Sequence, residues 1–359
     1  MDEKIKFWQG KRVLLTGHTG FKGTWMSLML ESLGAIVCGY SLPLNPYSFY
    51  RKSGATVSEH HEGDIADKEK LTCVMQSFQP ECIIHLASHS SLDGSDKIPD
   101  FILKTNIMGV VNLLDISRQM SCTKSIVIVT SDKCYKNLES ERPYVEESAL
   151  GGIDPYSVSK VCQELITTCY QKTFFEQCAL SRNSIGIATA RASNVIGAGD
   201  YNITRLIPYL LDSFVNGNIA ILRNPNAIRP WQYVLDVIWG YLLLSQKLYE
   251  ESDISLQYNG PYNFGPKSDG FYKVKDIVHL LSSQFPNAQY TYGETKRAVQ
   301  AETNILKLDS TKAKTLLDWE PIYTVPQILQ ELADFIIREK SGVKTEFLCQ
   351  SAIQTYLKK

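Results

Sequence analysis

From residue 12 onward the chain alternates short, wholly apolar runs with longer stretches whose apolar residues recur at helical spacing. Arg12–Thr16 (RVLLT) and Ala35–Tyr40 (AIVCGY) are predicted strands, separated by a helix over Phe21–Leu33 that stops at Gly34. The pattern continues with a helix over Lys68–Gln79, ended by Pro80, and a strand at Cys82–Ala87 (CIIHLA). A helix over Phe101–Gln119, a strand at Ser125–Thr130 (SIVIVT), a long helix over Tyr156–Phe175 and a strand at Ile185–Ala190 (IGIATA) follow. Strands that are apolar along their whole length are buried on both faces, so the alternation predicts an α/β fold with a doubly wound parallel sheet. Sheets of this kind bind ligands beyond the carboxyl ends of their strands.

After Asn194 the pattern loosens, with Gly, Pro and Asn gathered at 197–202, 216–230 and 259–270. This predicts a large sheet domain over 1–195 with a returning segment at about 231–265. A smaller substrate domain would be built from 196–230 and 266–343, and residues 344–359 are expected to form a polar tail.

With 359 residues, 44% of them hydrophobic, the chain can bury a large core. A formal net charge of -1 with scattered charges argues against nucleic acid or an anionic membrane as partner. The longest apolar runs are strand-length, and MDEKIKFWQGKRV at the start has no apolar signal core. Nine cysteines, spread singly without a CxxC pair, predict free thiols in a reducing cytoplasm and no zinc site.

Candidate chemistry gathers at the predicted strand ends. The first strand runs into GHTGFKG, with Gly17, Gly20 and Gly23 opening the first helix. Glycines there allow a tight turn and let backbone N–H groups approach a pyrophosphate at the helix N-terminus. In PYSVSK, Tyr156 and Lys160 stand four residues apart and so share one helix face. A lysine ammonium beside a phenol, with a nicotinamide cation nearby, is expected to lower the phenol's pKa, so that the tyrosinate can take a proton from a sugar hydroxyl. A second YxxxK, Tyr292–Lys296, is read as chance. TSDKCY (130–135) places Asp132 and Lys133 side by side where a buried strand emerges. His85 is read as a satisfied core histidine, His60-His61 as a loop pair, and Trp231 and Tyr233 as core or wall.

The GxxGxxG spacing resembles the extended branch of the short-chain dehydrogenase/reductase superfamily, which implies a Rossmann-type cofactor domain. On that resemblance the cofactor contacts are Gly17, Thr19, Gly20, Phe21, Gly23, Ser41, Asp64, Ile65, Leu86, Ala87, Asn106, Thr130, Tyr156 and Lys160. Ser41 stands where an acid often holds the adenosine ribose, and no arginine follows at once for a 2′-phosphate; NAD is favoured. Ser131 matches the residue that hydrogen-bonds the reacting hydroxyl. A 4-epimerase needs little more. A 4,6-dehydratase must also remove the C5 proton and protonate the departing C6 hydroxyl, which takes a base and an acid.

Ser131-Asp132-Lys133 resembles the CDP-glucose 4,6-dehydratases, as do FWQGKRVLLTGHTGFKG (7–23), DPYSVSK (154–160), NVIGAGD (194–200), RNPNAIRPWQYV (223–234) and LKLD (306–309). The resemblance implies Ser131, Asp132, Lys133, Tyr156 and Lys160 as catalytic residues. Asp132 would be the acid at O6. Lys133 would be either the base at C5 or a group that orients Asp132. Arg191–Asn194 would line the sugar diphosphate, with Asn194, Arg205 and Arg229 as substrate contacts. Relatives pair through helices near 101–119 and 156–175, which implies a homodimer. Two stretches depart from the family. Its Ala-Ala-Gln-Pro-Leu-Val-Arg appears here as ASHSSLDGSDKIP (87–99), with His89 for the glutamine and Gly94 near the arginine. Its His-Glu-Ala appears as Ala301-Glu302-Thr303. A 4-epimerase or decarboxylase, a dehydratase acting on another nucleotide sugar, and a non-catalytic NAD-sensing regulator are the competing readings.

Overall fold

A computed structural model describes residues 3–90, 96–176, 185–250, 256–267, 269–293 and 304–359. Seven parallel strands form the central sheet: β1 Arg12–Thr16, β2 Ile36–Ser41, β3 Glu59–Glu62, β4 Cys82–His85, β5 Ser125–Val129, β6 Gly186–Ala192 and β7 Gly260–Phe264. Their spatial order is β7-β6-β5-β4-β1-β2-β3. The order reverses between β1 and β4, where Thr16 pairs with His85, and a crevice opens beyond the carboxyl ends at such a reversal.

Side chains alternate along each strand and feed two cores. Val13, Leu15, Ile84, Val127 and Ala188 face one way; Leu14, Ile83, Ile126, Ile128 and Ile187 face the other. The main helices are α1 Phe21–Ser32, α2 Lys68–Phe78, α3 Gly109–Ser117, α4 Pro155–Tyr170 and α5 Val234–Glu250. Residues of α1 and α5 cover the first core, and those of α2 and α3 the second. The first core runs on without a break into Ile277, Trp319 and Leu329 of the C-terminal region. Around that extension, Ile219–Leu222 pairs with Gln289–Tyr292, and Ile228–Pro230 with Phe271–Lys273.

Several local expectations change. The helix expected over Phe101–Gln119 is interrupted by a π-helical turn at Lys104–Met108, and the one over Tyr156–Phe175 ends in another at Gln171–Phe175. His60 and His61 lie on the edge strand β3, not in a loop. Residues 344–359 are not a loose tail. They follow α6 (Val325–Lys340) with a further helix, α7 (Thr345–Leu357), whose Leu348, Cys349, Ile353 and Tyr356 are buried on one face. Tyr356 Oη donates to Asp236 Oδ1 at 2.9 Å, tying the terminal helix to α5. Eight of the nine cysteines are described and free; Cys178 lies outside the described residues. Among the described residues, no helix is long and apolar enough to cross a membrane.

Candidate active site

A cleft of about 2030 Å³ lies beyond the carboxyl ends of the strands, between the sheet and the C-terminal region. Pockets for a single small ligand measure roughly 300–1,000 Å³, so this one has room for a dinucleotide and a second molecule.

Its floor is the loop from β1 into α1. Gly17 has φ +72°, and a Cβ there would come within 2.7 Å of the Ala87 nitrogen. A Cβ on Gly23 would collide with the Gly17 carbonyl, so both positions require glycine for the loop to lie flat under the cleft. Thr19 Oγ1 and Ser41 Oγ are 2.8 Å apart and pin the loop to the end of β2. Gly20, Phe21, Asp64, Ile65, Leu86 and Ala87 line the same cleft. This shallow glycine cradle at a helix N-terminus fits a dinucleotide diphosphate. Asn106, expected among the cofactor contacts, does not line the cleft. It sits fully buried in the first π turn, where its amide binds the backbone of His89 (2.8 and 3.1 Å) and Ser159 Oγ (2.8 Å).

The cluster at the end of β5 follows from local capping. Ser131 is extended and caps a 3₁₀ turn over Asp132–Cys134, its Oγ accepting from the Lys133 N–H at 3.2 Å. The same hydroxyl donates to Asp132 Oδ1 at 2.9 Å, while Asp132 Oδ2 is buried without a hydrogen-bond partner. Burial raises the Asp132 pKa; Lys133, Ser131 and Arg229 pull it down without cancelling the rise. Thr130 also lines the cleft, with its hydroxyl given to Glu164 at 2.5 Å.

Helix α4 begins at Pro155 behind a capping box, in which Asp154 Oδ1 accepts from the Ser157 N–H at 2.9 Å. That start fixes Tyr156 in the first turn, where it lines the cleft with Ser131. Lys160 follows one turn later, its Nζ 5.8 Å from the Tyr156 ring centroid. The expected lowering of the phenol's pKa is not met by the chain's own charges: burial dominates and pushes it up to about 12. Lys160 is pulled down to about 7 by burial and by the Lys22 charge.

Behind the pair, Glu164 accepts from Thr130, from Thr189 Oγ1 (2.6 Å) and from Arg191 Nε and Nη2 (3.0 and 2.8 Å). Arg191, expected to line the sugar diphosphate, is thus a buried partner of Glu164 inside β6, with 3% of its side chain exposed. Removing one member of such a pair strands the other. Glu164→Ala is expected to cost about 3–5 kcal/mol, read as a lower urea midpoint.

On the far wall, Asn194, Arg205 and Arg229 all line the cleft. Arg205 Nη1 pairs with Asp200 at 2.9 Å and its Nη2 with Ser90 Oγ at 3.0 Å. Arg229 Nη1 donates to the Ile228 carbonyl at 2.9 Å, and its charge reaches Asp132. Trp231 forms part of the wall and Tyr233 is core. His89 also lines the cleft; Gly94, Lys296 and 301–303 lie outside the described residues. His85 is only half satisfied: Nδ1 meets Thr16 Oγ1 at 2.8 Å, Nε2 has no partner, and burial lowers its pKa to about 3, so the ring is neutral. Against the expectation for the His60-His61 stretch, ligand atoms of Cys38, Glu59 and His61 lie within 4.8 Å of one another, though burial pushes the Cys38 thiol up to about 12.

The model of the GDP-mannose 4,6 dehydratase family matches residues 14–332. The chain belongs to that family. It is 41% identical over 327 residues to the CDP-glucose 4,6-dehydratase of Salmonella typhimurium, covering 90% of this chain and 89% of that one. It is 26% identical to a probable dTDP-glucose 4,6-dehydratase of Sinorhizobium fredii, covering 86% and 88%. Among solved structures, an epimerase of Methanothermobacter thermautotrophicus superposes with TM-score 0.81 at 23% identity, covering 94% and 96%. The dTDP-glucose 4,6-dehydratase of Bacillus anthracis in complex with NAD gives 0.74 at 22%, covering 93% and 99%. At those identities the structures speak to the fold.

For this member of the GDP-mannose 4,6 dehydratase family, the sequence reading missed three parts of the site. Lys22 counted there only as loop backbone. Its side chain lines the cleft over the Tyr241 ring (5.7 Å), and burial with Arg205 lowers its pKa to about 8 against the opposing Asp132 charge. A lysine between two of the loop glycines was the available signal. Ser88 and Gln163, which hold Lys160, carried none, because only the fold brings them to it.

Proposed function

We propose that the chain is an NAD-dependent sugar-nucleotide 4,6-dehydratase that converts CDP-glucose to CDP-4-dehydro-6-deoxyglucose and water. The observation that carries this reading is the cleft-facing Ser131-Asp132-Lys133 cluster, its Asp132 carboxyl buried and held by Ser131 Oγ at 2.9 Å, opening on the same cleft as Tyr156. The 41% identity to a CDP-glucose 4,6-dehydratase supports the nucleotide and the sugar. The glycine cradle with Thr19, Ser41, Asp64 and Ile65 would hold NAD; when bound, it accepts the C4 hydride and returns it at C6. Tyr156 removes the C4 hydroxyl proton, with Ser131 holding that oxygen and Lys160 supplying positive charge. The ketone acidifies C5–H. Lys133 would remove that proton or steady the resulting enolate, and Asp132 would protonate O6 as water leaves. Asn194, Arg205 and Arg229 would clamp the diphosphate, guanidinium forks suiting its oxygens.

We further propose a homodimer in the cytoplasm. Phe101, Met108, Val158, Leu165 and Phe174 are exposed on the two helical stretches that would meet, and the described cysteines are free. Purified, NAD-loaded protein given CDP-glucose is expected to yield a product lighter by one water, with the alkali-induced absorbance of a 4-keto-6-deoxy sugar. UDP-, dTDP- and GDP-hexoses run alongside separate the alternatives by product mass: unchanged for an epimerase, lighter by carbon dioxide for a decarboxylase. Failure to lose water from any of the four sinks the proposal.

A further inference from the structure

The loop after β4 carries Ser88 just before His89, where the family resemblance implies an alanine. Ser88 Oγ accepts from Lys160 Nζ at 2.8 Å and donates to Asn106 Oδ1 at 3.0 Å. Lys160 Nζ has two further acceptors, Gln163 Oε1 at 2.9 Å and the Val129 carbonyl at 3.4 Å. An ammonium has three donors, and all three are met here by protein. Asn106 is itself fixed by His89 and Ser159, and Ser159 Oγ donates to the Tyr156 carbonyl at 2.6 Å. One hydroxyl therefore joins the β4 loop and the π turn to the lysine of the candidate proton-transfer pair.

We propose that Ser88 is a positioning residue for the dehydration, holding Lys160 in its charged form and in register with Tyr156. The inference rests on the proposed function. The physical reason is local: an acceptor on the ammonium favours the charged form, whereas burial and Lys22 favour the neutral one. Ser88 acts on the ammonium together with Gln163 and the Val129 carbonyl, and the Glu164 charge favours the same form. Glu164 is engaged by Arg191, His85 and Cys134 are held neutral by burial, and Tyr156 keeps its proton until the reaction. Lys22 titrates near Lys160, so activity alone cannot separate the two lysines.

The test is Ser88→Ala in NAD-loaded protein. The Lys160 side chain is titrated directly by NMR of ¹³C-labelled lysine, its signal assigned by its absence in Lys160→Met. The Lys160 midpoint is expected to fall by about one pH unit, the size implied by losing a hydrogen bond to a charged group. The alkaline limb of kcat with CDP-glucose is expected to move down with it while KM stays put, and Ser88→Thr is expected to restore both. An unchanged Lys160 midpoint overturns the proposal. So does loss of NAD without a change in midpoint, which would make Ser88 a cofactor contact. If the wild-type protein dehydrates no nucleotide sugar, the functional reading fails, while the titration still judges the Ser88–Lys160 contact.

Discussion

Tyr156→Phe is expected to lower dehydration by roughly 10²–10⁴-fold, the usual loss when a positioned proton-transfer group is removed. Tyr156 is 8% exposed, lines the cleft beside Ser131, and has its phenol pushed up to about 12 by burial. Phenylalanine keeps the ring's packing and removes only the hydroxyl, so the fold and NAD retention should be unchanged. Because C4 must be oxidised before the C5 proton becomes acidic, hydride transfer from C4, read as NADH absorbance, and release of water should fall together. Measuring both on one sample of isotopically labelled CDP-glucose checks this. Water release surviving the substitution would remove Tyr156 from the reaction. The raised phenol pKa also shows what the chain leaves to its ligands. Lys160 is 5.8 Å from the ring centroid and its own pKa is lowered to about 7 by burial, so much of the lowering of the phenol's pKa would fall to the positive nicotinamide.

Much of the sheet was legible because its strands are apolar on both faces: Arg12–Thr16, Cys82–His85 and Ser125–Val129 needed only hydropathy and flanking glycines or prolines. β3 (EHHE) resisted, since an edge strand half open to water carries no apolar pattern. Helix α7 reads as a polar tail in sequence because its buried residues are few among polar ones, although they share a face. The π turns answer to tertiary packing and leave no mark in propensity. At the site, the residues on strand ends and helix starts, Gly17, Ser131, Asp132 and Tyr156, were readable because local structure alone places them. Arg191 and Asn106 were misplaced because their partners, Glu164 and His89, are distant in sequence, and a buried arginine reads in sequence like a phosphate ligand until its carboxylate is found. Ser88 meets Lys160 across 72 residues, a contact that no motif encodes.

Asp132→Asn separates the two halves of the reaction, and its effect on water loss is expected to be as large, roughly 10²–10⁴-fold. The amide keeps the side chain's shape and can still accept from Ser131 Oγ through its oxygen, as Asp132 Oδ1 does at 2.9 Å. It cannot deliver a proton to O6. NADH should therefore still form from C4 at the wild-type rate in a single turnover while water release stops; parallel loss of both would show that Asp132 serves the hydride step instead. The sign of the pH dependence follows from the same atom. An acid must hold its proton, and burial raises the Asp132 pKa, so wild-type water loss should decline as pH rises through that raised value. Lys133 pulls the same pKa down. In Lys133→Met that pull is gone, and the decline should move to higher pH if the lysine only orients and polarises Asp132. If Lys133 is the C5 base, water loss should collapse at every pH while NADH formation from C4 persists. One pH series on Lys133→Met, with both steps measured, thus assigns the lysine by the form of the profile.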